Sequence, residues 1–394
     1  MGDRRGLTRA GWIGGMVLGL LALSGCETPL NAPVETNQIV KVTETTTADG
    51  WRYEEFHNLA YECSISGYHS FVIGTRIGDD PADPRPLWVR LRGGGSGYFN
   101  GAGVPVPGPG NMVQETHDTL RGQIRQPGLV ARVLGREDLG FRGLAVSMCN
   151  RDTYGGVDNL DPNNPHPNED GSQRRTNGLL ATRAAIEFTT ARHETTKFFL
   201  HGGSAGSAGT YHVSLALERS GSPAAGIVAD GGIRNDAWEA ARLEQGICTS
   251  PYGGPEWYEG FAPRVHWELR PTQGQPHELV AHGGLTVPIA QVWTHGDPTT
   301  CGSLPMVCPL ASGPVMMDAG DCKNEPLRAV IAAQGPESRS LSMGVCVTRA
   351  TSPAGACDVH VSTGGNLPNT NDQFPADYLA VIADWVDDRL ADPE

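Results

Sequence analysis

The segment FFLHGGSAGSAG, residues 198–209, decides the fold of this chain. It opens with Phe198-Phe199-Leu200, a short apolar run typical of a buried strand, and the apolar spacing from Tyr211 to Leu217 predicts a helix after it. Between the two lies a G-x-S-x-G motif, Gly202 to Gly206. In such a motif a serine sits on a tight turn, where glycines let the strand and helix backbones approach closely. The segment therefore predicts a nucleophile elbow with Ser204 at its apex.

Strand and helix patterns alternate on both sides of this motif. Apolar runs predict strands at 86–91, 144–148, 226–229 and 287–293, and helical spacing recurs at 177–190 and 375–390. The alternation predicts a mostly parallel central sheet flanked by helices, and together with the serine turn it predicts an α/β-hydrolase fold. Residues 238–282 are rich in aromatic residues, Pro and Gly, and we interpret them as a cap-like insertion.

A second glycine-rich loop, RGGGSG at residues 92–97, follows the first of these predicted strands. Attack of a serine on a carbonyl creates an oxyanion, which is stabilised by backbone N–H donors. Glycines allow such amides to crowd a reacting centre because they have no Cβ. We therefore assign the candidate oxyanion hole to the amides of Ala205, Gly94 and Gly95. The rival interpretation is a phosphate-binding loop, but no G-K-[ST] follows the glycines.

A serine nucleophile also needs a base and an acid, and in this fold the chain order is Ser, acid, His. His360 is the only histidine after His295, so it is the candidate base. Asp297 follows the last predicted strand and is the favoured acid, while Asp230 follows the strand before it and is the alternative. The acid would fix the tautomer of the imidazole and stabilise the imidazolium.

The first 25 residues have the features of a lipoprotein signal peptide. Three arginines lie among the first nine residues, and the apolar run from Trp12 to Leu23 is short for a membrane span. The run ends in LSGC, which resembles a bacterial lipobox, a motif whose cysteine is lipidated. We therefore predict export and a lipid anchor on Cys26 that holds the protein at a bacterial membrane. A tether over residues 26–41 and a catalytic domain over 42–394 would follow.

Cysteine content and charge agree with export and limit the partners. Besides Cys26, eight of the nine cysteines remain, and this even number predicts up to four disulfides with open connectivity. Neither a C-x-x-C pair nor an H-E-x-x-H motif suggests a metal site. The net charge of -14 argues against a nucleic-acid partner. We expect neither a metal nor a cofactor.

Five segments carry a family resemblance: LWVRLRGGGSGYF (87–99), MCNRDTYGG (148–156), GGSAGSAG (202–209), ADGG (229–232) and CDVH (357–360). In this order they resemble the pectin acetylesterase/Notum family, most clearly over roughly residues 85–235. The resemblance implies carboxylic-ester hydrolysis by Ser204, His360 and Asp297, with Asp230 as a structural aspartate. The chain departs from the family at Ser96-Gly97-Tyr98 and at Ser207, which border the pocket, so the acyl preference of the family does not carry over.

The predicted activity is hydrolysis of carboxylic esters through an acyl-enzyme. The predicted substrates are small-molecule or polysaccharide esters, with O-acetyl groups on polysaccharide among the candidates. The alternative is a catalytically silent surface lipoprotein that uses a hydrolase fold for binding. Such a protein is expected to lack a member of the triad, whereas this sequence has a candidate for each.

Overall fold

The computed structural model describes residues 28–108, 112, 115–249, 254–270, 274–365, 368 and 375–393. The predicted signal peptide, 1–25, and the predicted lipidation site Cys26 lie outside the described residues. The strands are β1 (Ile39–Thr46), β2 (Trp51–Glu62), β3 (Tyr68–Arg76), β4 (Arg85–Leu91), β5 (Tyr98–Phe99), β6 (Pro105–Val106), β7 (Arg142–Val146), β8 (Asn159–Leu160), β9 (Arg175–Thr176), β10 (Thr195–Gly203), β11 (Gly226–Asp230), β12 (Ile289–Thr294), β13 (Pro305–Leu310), β14 (Gly313–Asp318) and β15 (Leu341–Val345). The α-helices are α1 (His117–Ile124), α2 (Leu129–Leu134), α3 (Gly178–Arg192), α4 (Ala205–Arg219), α5 (Asp236–Glu244), α6 (Pro255–Phe261), α7 (Pro276–Ala281), α8 (Ala319–Gln334) and α9 (Tyr378–Ala391).

Nine of these strands form the central sheet, in the order β1-β2-β3-β7-β4-β10-β11-β12-β15. The strands from β7 to β15 in this order are parallel, and β1, β2 and β3 extend one edge in antiparallel fashion. A mostly parallel sheet with crossover helices and a serine turn after a central strand is an α/β-hydrolase fold. The predicted fold class is therefore confirmed.

The sheet is buried on both faces because its strands carry apolar side chains on both sides. In β4, Leu87, Val89 and Leu91 join the core formed with α3, α4 and α8, whereas Trp88 joins the core formed with α1, α2 and α9. This alternation follows the two-residue period of a strand. The two helical layers cover the sheet, and the functional loops leave it at the carboxyl ends of its parallel strands.

The segment predicted to be a tether, residues 26–41, belongs to the domain over most of its described part. Leu30 and Ala32 are buried, with 1% and 8% of their surface exposed. The Arg183 guanidinium donates to both of their carbonyl oxygens, at 2.9 and 2.8 Å. Strand β1 begins at Ile39 and pairs with β2. This corrects the predicted boundary, because the buried side chains of Leu30 and Ala32 and the hydrogen bonds from Arg183 fix the described part of the segment to the core.

The segment predicted to be a cap-like insertion, 238–282, lies between β11 and β12 and contains α6, α7 and most of α5. Its aromatic side chains are mainly buried within the insertion and against the sheet layer. The rings of Trp257 and Phe261 stack at 4.5 Å, and both belong to the same core as α4. Among the described aromatic side chains of this insertion, Trp267 is the exposed one, with 46% of its surface exposed.

The eight cysteines expected to pair form four disulfides: Cys63–Cys149, Cys248–Cys301, Cys308–Cys322 and Cys346–Cys357. The disulfide prediction is confirmed, and the connectivity that the sequence left open is now defined. Four disulfides are typical of an exported protein. Among the described helices, none is both long and apolar enough to span a membrane.

Candidate active site

Ser204 lies on the turn between β10 and α4, with φ of 56° and ψ of −122°. A positive φ is costly for a residue with a side chain, by about 1–3 kcal/mol, and it persists only where the surroundings enforce it. The enforcement is steric. A Cβ on Gly202 would lie 2.0 Å from the carbonyl oxygen of Gly206, and a Cβ on Gly206 would lie 2.2 Å from that of Leu91. The two glycines of the motif therefore permit the close packing that exposes the Ser204 hydroxyl.

His360 lies in the loop between β15 and α9, and it connects the serine to a buried carboxylate. Its Nε2 is 2.7 Å from Ser204 Oγ, and its Nδ1 is 2.7 Å from Asp297 Oδ2. Asp297 follows β12 and is 1% exposed. The structure thus brings His360 together with Asp297 and Ser204, which lie 63 and 156 positions before it in the sequence.

Thr299 holds the Asp297 carboxylate and was not identified from the sequence. Its backbone N–H and its hydroxyl both donate to Asp297 Oδ1, each at 2.9 Å. The hydroxyl oxygen also lies 2.9 Å from His360 Nδ1. The Asp297-Pro298-Thr299 spacing is an Asx-type turn, which is the one local signal that could have indicated this role.

Asp230, the alternative acid, binds the chain beyond His360 rather than its ring. Its carboxylate accepts from Ser362 Oγ at 3.0 Å and from Thr363 N and Oγ1 at 2.6 and 2.7 Å. Burial raises the pKa of Asp230, and these hydrogen bonds oppose the shift. A Cβ on Gly231 would lie 2.2 Å from the His360 carbonyl oxygen, so this glycine lets the loop approach β11. Asp230 is placed to position the histidine loop.

The glycine loop after β4 lies directly against the serine turn. A Cβ on Gly93 would lie 2.5 Å from the Gly203 carbonyl oxygen. Gly94 and Gly95 have φ of 124° and 76°, which favour glycine. Gly95 lines the cavity beside Ser204 and Ala205, whereas the Gly94 carbonyl accepts from Arg151 Nη1 at 3.1 Å. The loop therefore brings glycine backbone close to the serine turn.

Ser204 and His360 open into a cavity of about 160 Å³. The insertion supplies one wall with Trp238, Trp257 and Tyr258. His212 also lines the cavity, and its Nδ1 lies 2.9 Å from the Thr153 carbonyl oxygen. Burial lowers the pKa of His212 to about 4, so this second histidine is neutral near pH 7. The cavity also contains two cationic residues, Arg234 and Lys323, that the sequence analysis did not identify.

A metal site has little support in the described part of the chain. One group of histidine, cysteine or acidic side chains there is compact enough to share an ion, and it consists of Cys63, His69 and Cys149. The two cysteines form a disulfide, so they offer no thiolate for a metal.

No protein-family model and no curated protein sequence matches the chain. Among solved structures, it is similar to an S-formylglutathione hydrolase from Agrobacterium tumefaciens (10% identity, TM-score 0.41, covering 77% of this chain and 89% of that one). It is also similar to an acetyl xylan esterase from Paenibacillus sp. R4 (12% identity, TM-score 0.41, covering 80% and 84%). A third similarity is to prolyl oligopeptidase B from Galerina marginata (10% identity, TM-score 0.43, covering 88% of this chain). This chain spans 38% of that protein's length. The fold assignment rests on the sheet and the serine turn, and the resemblance to the pectin acetylesterase/Notum family stays a prediction.

Proposed function

We propose that this protein is a serine carboxylesterase in which Ser204 is the nucleophile, His360 the general base and Asp297 the acid that orients it. The observation that carries the proposal is the continuous hydrogen-bonded chain from Ser204 Oγ through His360 to Asp297, with 2.7 Å at each step. A serine hydroxyl becomes an effective nucleophile when an adjacent base accepts its proton. The adjoining cavity leaves room for an ester.

In the proposed reaction, Ser204 Oγ attacks the ester carbonyl while its proton passes to His360 Nε2. The resulting imidazolium is stabilised by the Asp297 carboxylate at Nδ1. When the tetrahedral intermediate collapses, the C–O bond to the alcohol breaks and His360 returns the proton to the leaving oxygen. Water then attacks the acyl-enzyme with His360 again as the base, which releases the acid and restores the serine.

The amides of Ala205, Gly94 and Gly95 are the proposed oxyanion donors. Ala205 begins α4, so its N–H belongs to the unpaired first turn of a helix, where negative charge is favoured. The close packing of the glycine loop against Gly203 supports a role for Gly94 and Gly95. One such donor typically lowers the barrier by about 3 kcal/mol.

The proposal extends to export and to a lipid anchor on Cys26. The four disulfides support an oxidising compartment. In a bacterial host, metabolic labelling with an alkyne fatty acid should mark the wild type and not Cys26→Ser. Equal labelling of both would remove the anchor from the proposal. Small-molecule and polysaccharide esters, O-acetylated polysaccharide among them, are the proposed substrates.

A fluorophosphonate probe tests the enzymatic proposal, because it reacts with activated serines. The wild type should be labelled at Ser204, and Ser204→Ala should not be labelled. Ser222→Ala is the matched control, because Ser222 is an exposed serine outside the cavity and its loss should leave labelling intact. Folded wild-type protein that fails to react would favour the catalytically silent binding protein instead.

A further inference from the structure

Two cationic side chains, Arg234 and Lys323, line the same cavity as Ser204 and His360. Arg234 lies in the segment that joins β11 to α5, and Lys323 lies in the second turn of α8. Asn235 ties the two segments together, because its Nδ2 donates to the backbone oxygen of Lys323 at 3.0 Å. The two cations are therefore fixed near each other on one wall of the cavity.

Each cation lies over an aromatic ring instead of pairing with a carboxylate. Arg234 Cζ is 4.7 Å from the centre of the Trp257 ring, and Lys323 Nζ is 4.8 Å from that of Trp238. Among the residues that the structure describes, neither cation has a carboxylate within ion-pair distance. An aromatic face stabilises a cation by about 0.5–2 kcal/mol. This is less than the hydration free energy that a guanidinium or ammonium group loses on burial.

The carboxylates that face these cations already have closer partners. Glu239 binds Arg242, with Oε2 accepting from Nε at 2.9 Å. Asp236 Oδ1 accepts from the Tyr258 hydroxyl at 3.1 Å. Asp297, which acts on Lys323 together with Glu239, holds His360. Arg234 and Lys323 can therefore still bind an anion at the cavity wall.

The electrostatics of the pair agree with this description. Burial lowers the pKa of Lys323, and the nearby Arg234 charge lowers it further, while Asp297 and Glu239 oppose the shift. Burial also lowers the pKa of Arg234. An anion that entered the cavity would replace the lost hydration of both groups and would stabilise the protonated form of Lys323.

We propose that Arg234 and Lys323 form a subsite for a carboxylate group on the substrate, so that the esters preferred by this protein are anionic. The inference rests on the proposed esterase activity and narrows its substrate class. The carboxylate would bind to the guanidinium and the ammonium, and the rings of Trp238 and Trp257 would contact the apolar part of the ester. Arginine favours this role because its planar guanidinium can bind a carboxylate with two parallel hydrogen bonds.

The test compares esters that differ by one carboxylate. On the acyl side, mono-4-nitrophenyl succinate is paired with its neutral methyl ester. On the alcohol side, 4-(butyryloxy)benzoate is paired with its neutral methyl ester. The wild-type chain should have the higher kcat/KM for the anionic member of at least one pair. The pair that shows the preference identifies the side of the scissile bond on which the carboxylate lies.

In Arg234→Gln and in Lys323→Gln, the anionic-to-neutral ratio of kcat/KM should fall about 10- to 100-fold, as expected for the loss of a charge-assisted hydrogen bond. Arg125→Gln is the matched control. It removes one positive charge from an exposed ion pair with Asp49, and it should leave the ratio unchanged. Equal losses on both members of each pair, or a wild type without a preference for the anionic member, would overturn the subsite.

A binding measurement separates this inference from the proposed activity. In Ser204→Ala, calorimetric titration should show tighter binding of monoethyl succinate than of neutral diethyl succinate, and Arg234→Gln in the same background should abolish the difference. Binding without hydrolysis by the wild type would support the subsite and contradict the esterase. Hydrolysis of neutral esters with no binding preference would support the esterase and contradict the subsite.

Discussion

Replacing each of two aspartates with asparagine tests which carboxylate acts on His360, the proposed general base. Asp297 Oδ2 lies 2.7 Å from His360 Nδ1, whereas the Asp230 carboxylate accepts from Ser362 and Thr363. We expect Asp297→Asn to remove activity from a folded protein. We expect Asp230→Asn to lower stability more than activity.

The expected magnitudes follow from the contacts. An amide at position 297 would present its NH2 to His360 Nδ1 and would favour the tautomer that carries its proton on Nε2, which cannot accept a proton from Ser204. In another serine hydrolase the equivalent change lowers kcat by about 10⁴-fold, or about 5 kcal/mol of barrier. At position 230, three donors converge on the carboxylate, and an amide accepts at one oxygen only. The lost charge-assisted hydrogen bonds should reduce the free energy of unfolding by about 2–4 kcal/mol.

The assay measures kcat for 4-nitrophenyl butyrate at pH 7.5 and the free energy of unfolding from urea titration of tryptophan fluorescence. Asp297→Asn should change the free energy of unfolding by about 1 kcal/mol or less, because Thr299 N and Oγ1 can still donate to the remaining oxygen. The reasoning is refuted if Asp230→Asn loses 10⁴-fold in kcat with unchanged unfolding while Asp297→Asn retains most of its activity.

Three further predictions concern the fold. Gly202→Ala should lower both stability and kcat, because its Cβ would lie 2.0 Å from a carbonyl oxygen, whereas Gly101→Ala, with open space at that position, should change neither. Burial lowers the pKa of His69 from 6.5 to about 3 in the folded chain. As the pH falls from 6.5 towards 3, the unfolded chain binds a proton that the folded chain does not bind, so the free energy of unfolding decreases. Between pH 7 and pH 5, urea titrations should therefore show a loss in the free energy of unfolding that is about 2 kcal/mol larger in the wild type than in His69→Gln, and an equal loss in both would contradict this. Replacing Cys308 and Cys322 by Ser should lower the free energy of unfolding by about 3 kcal/mol, and an unchanged free energy of unfolding would contradict the contribution of this disulfide.

The serine turn could be predicted from sequence because its determinants are local. The strand, the two glycines and the helix lie within residues 195–219, and their spacing alone requires the tight turn. His360 could be selected because the chain order of the fold left one histidine downstream of His295. Neither inference needed knowledge of long-range packing.

The sequence favoured Asp297 as the acid but left Asp230 open, because both aspartates lie at the ends of parallel strands of the same sheet. It depends on how the loop after β15 folds back, which places His360 against Asp297 and places Ser362 and Thr363 against Asp230. The pairing of Arg234 and Lys323 could not be predicted from the sequence for the same reason, since 88 positions separate Asn235 from Lys323, whose backbone oxygen it binds. Such contacts arise from tertiary packing and have no periodic signature.

The corrected N-terminal boundary bears on how a lipid anchor would orient the cavity. Leu30 is fixed in the core, so four residues of chain give a lipidated Cys26 a reach of at most about 14 Å. The neighbouring Asn31 donates to the carbonyl oxygen of Arg219, the last residue of α4, at 3.3 Å. Ser204 immediately precedes α4, whose 15 residues span about 22 Å. The described N-terminal segment therefore meets the domain at the end of this helix opposite Ser204, and the proposed anchor on Cys26 would turn the cavity away from the bilayer.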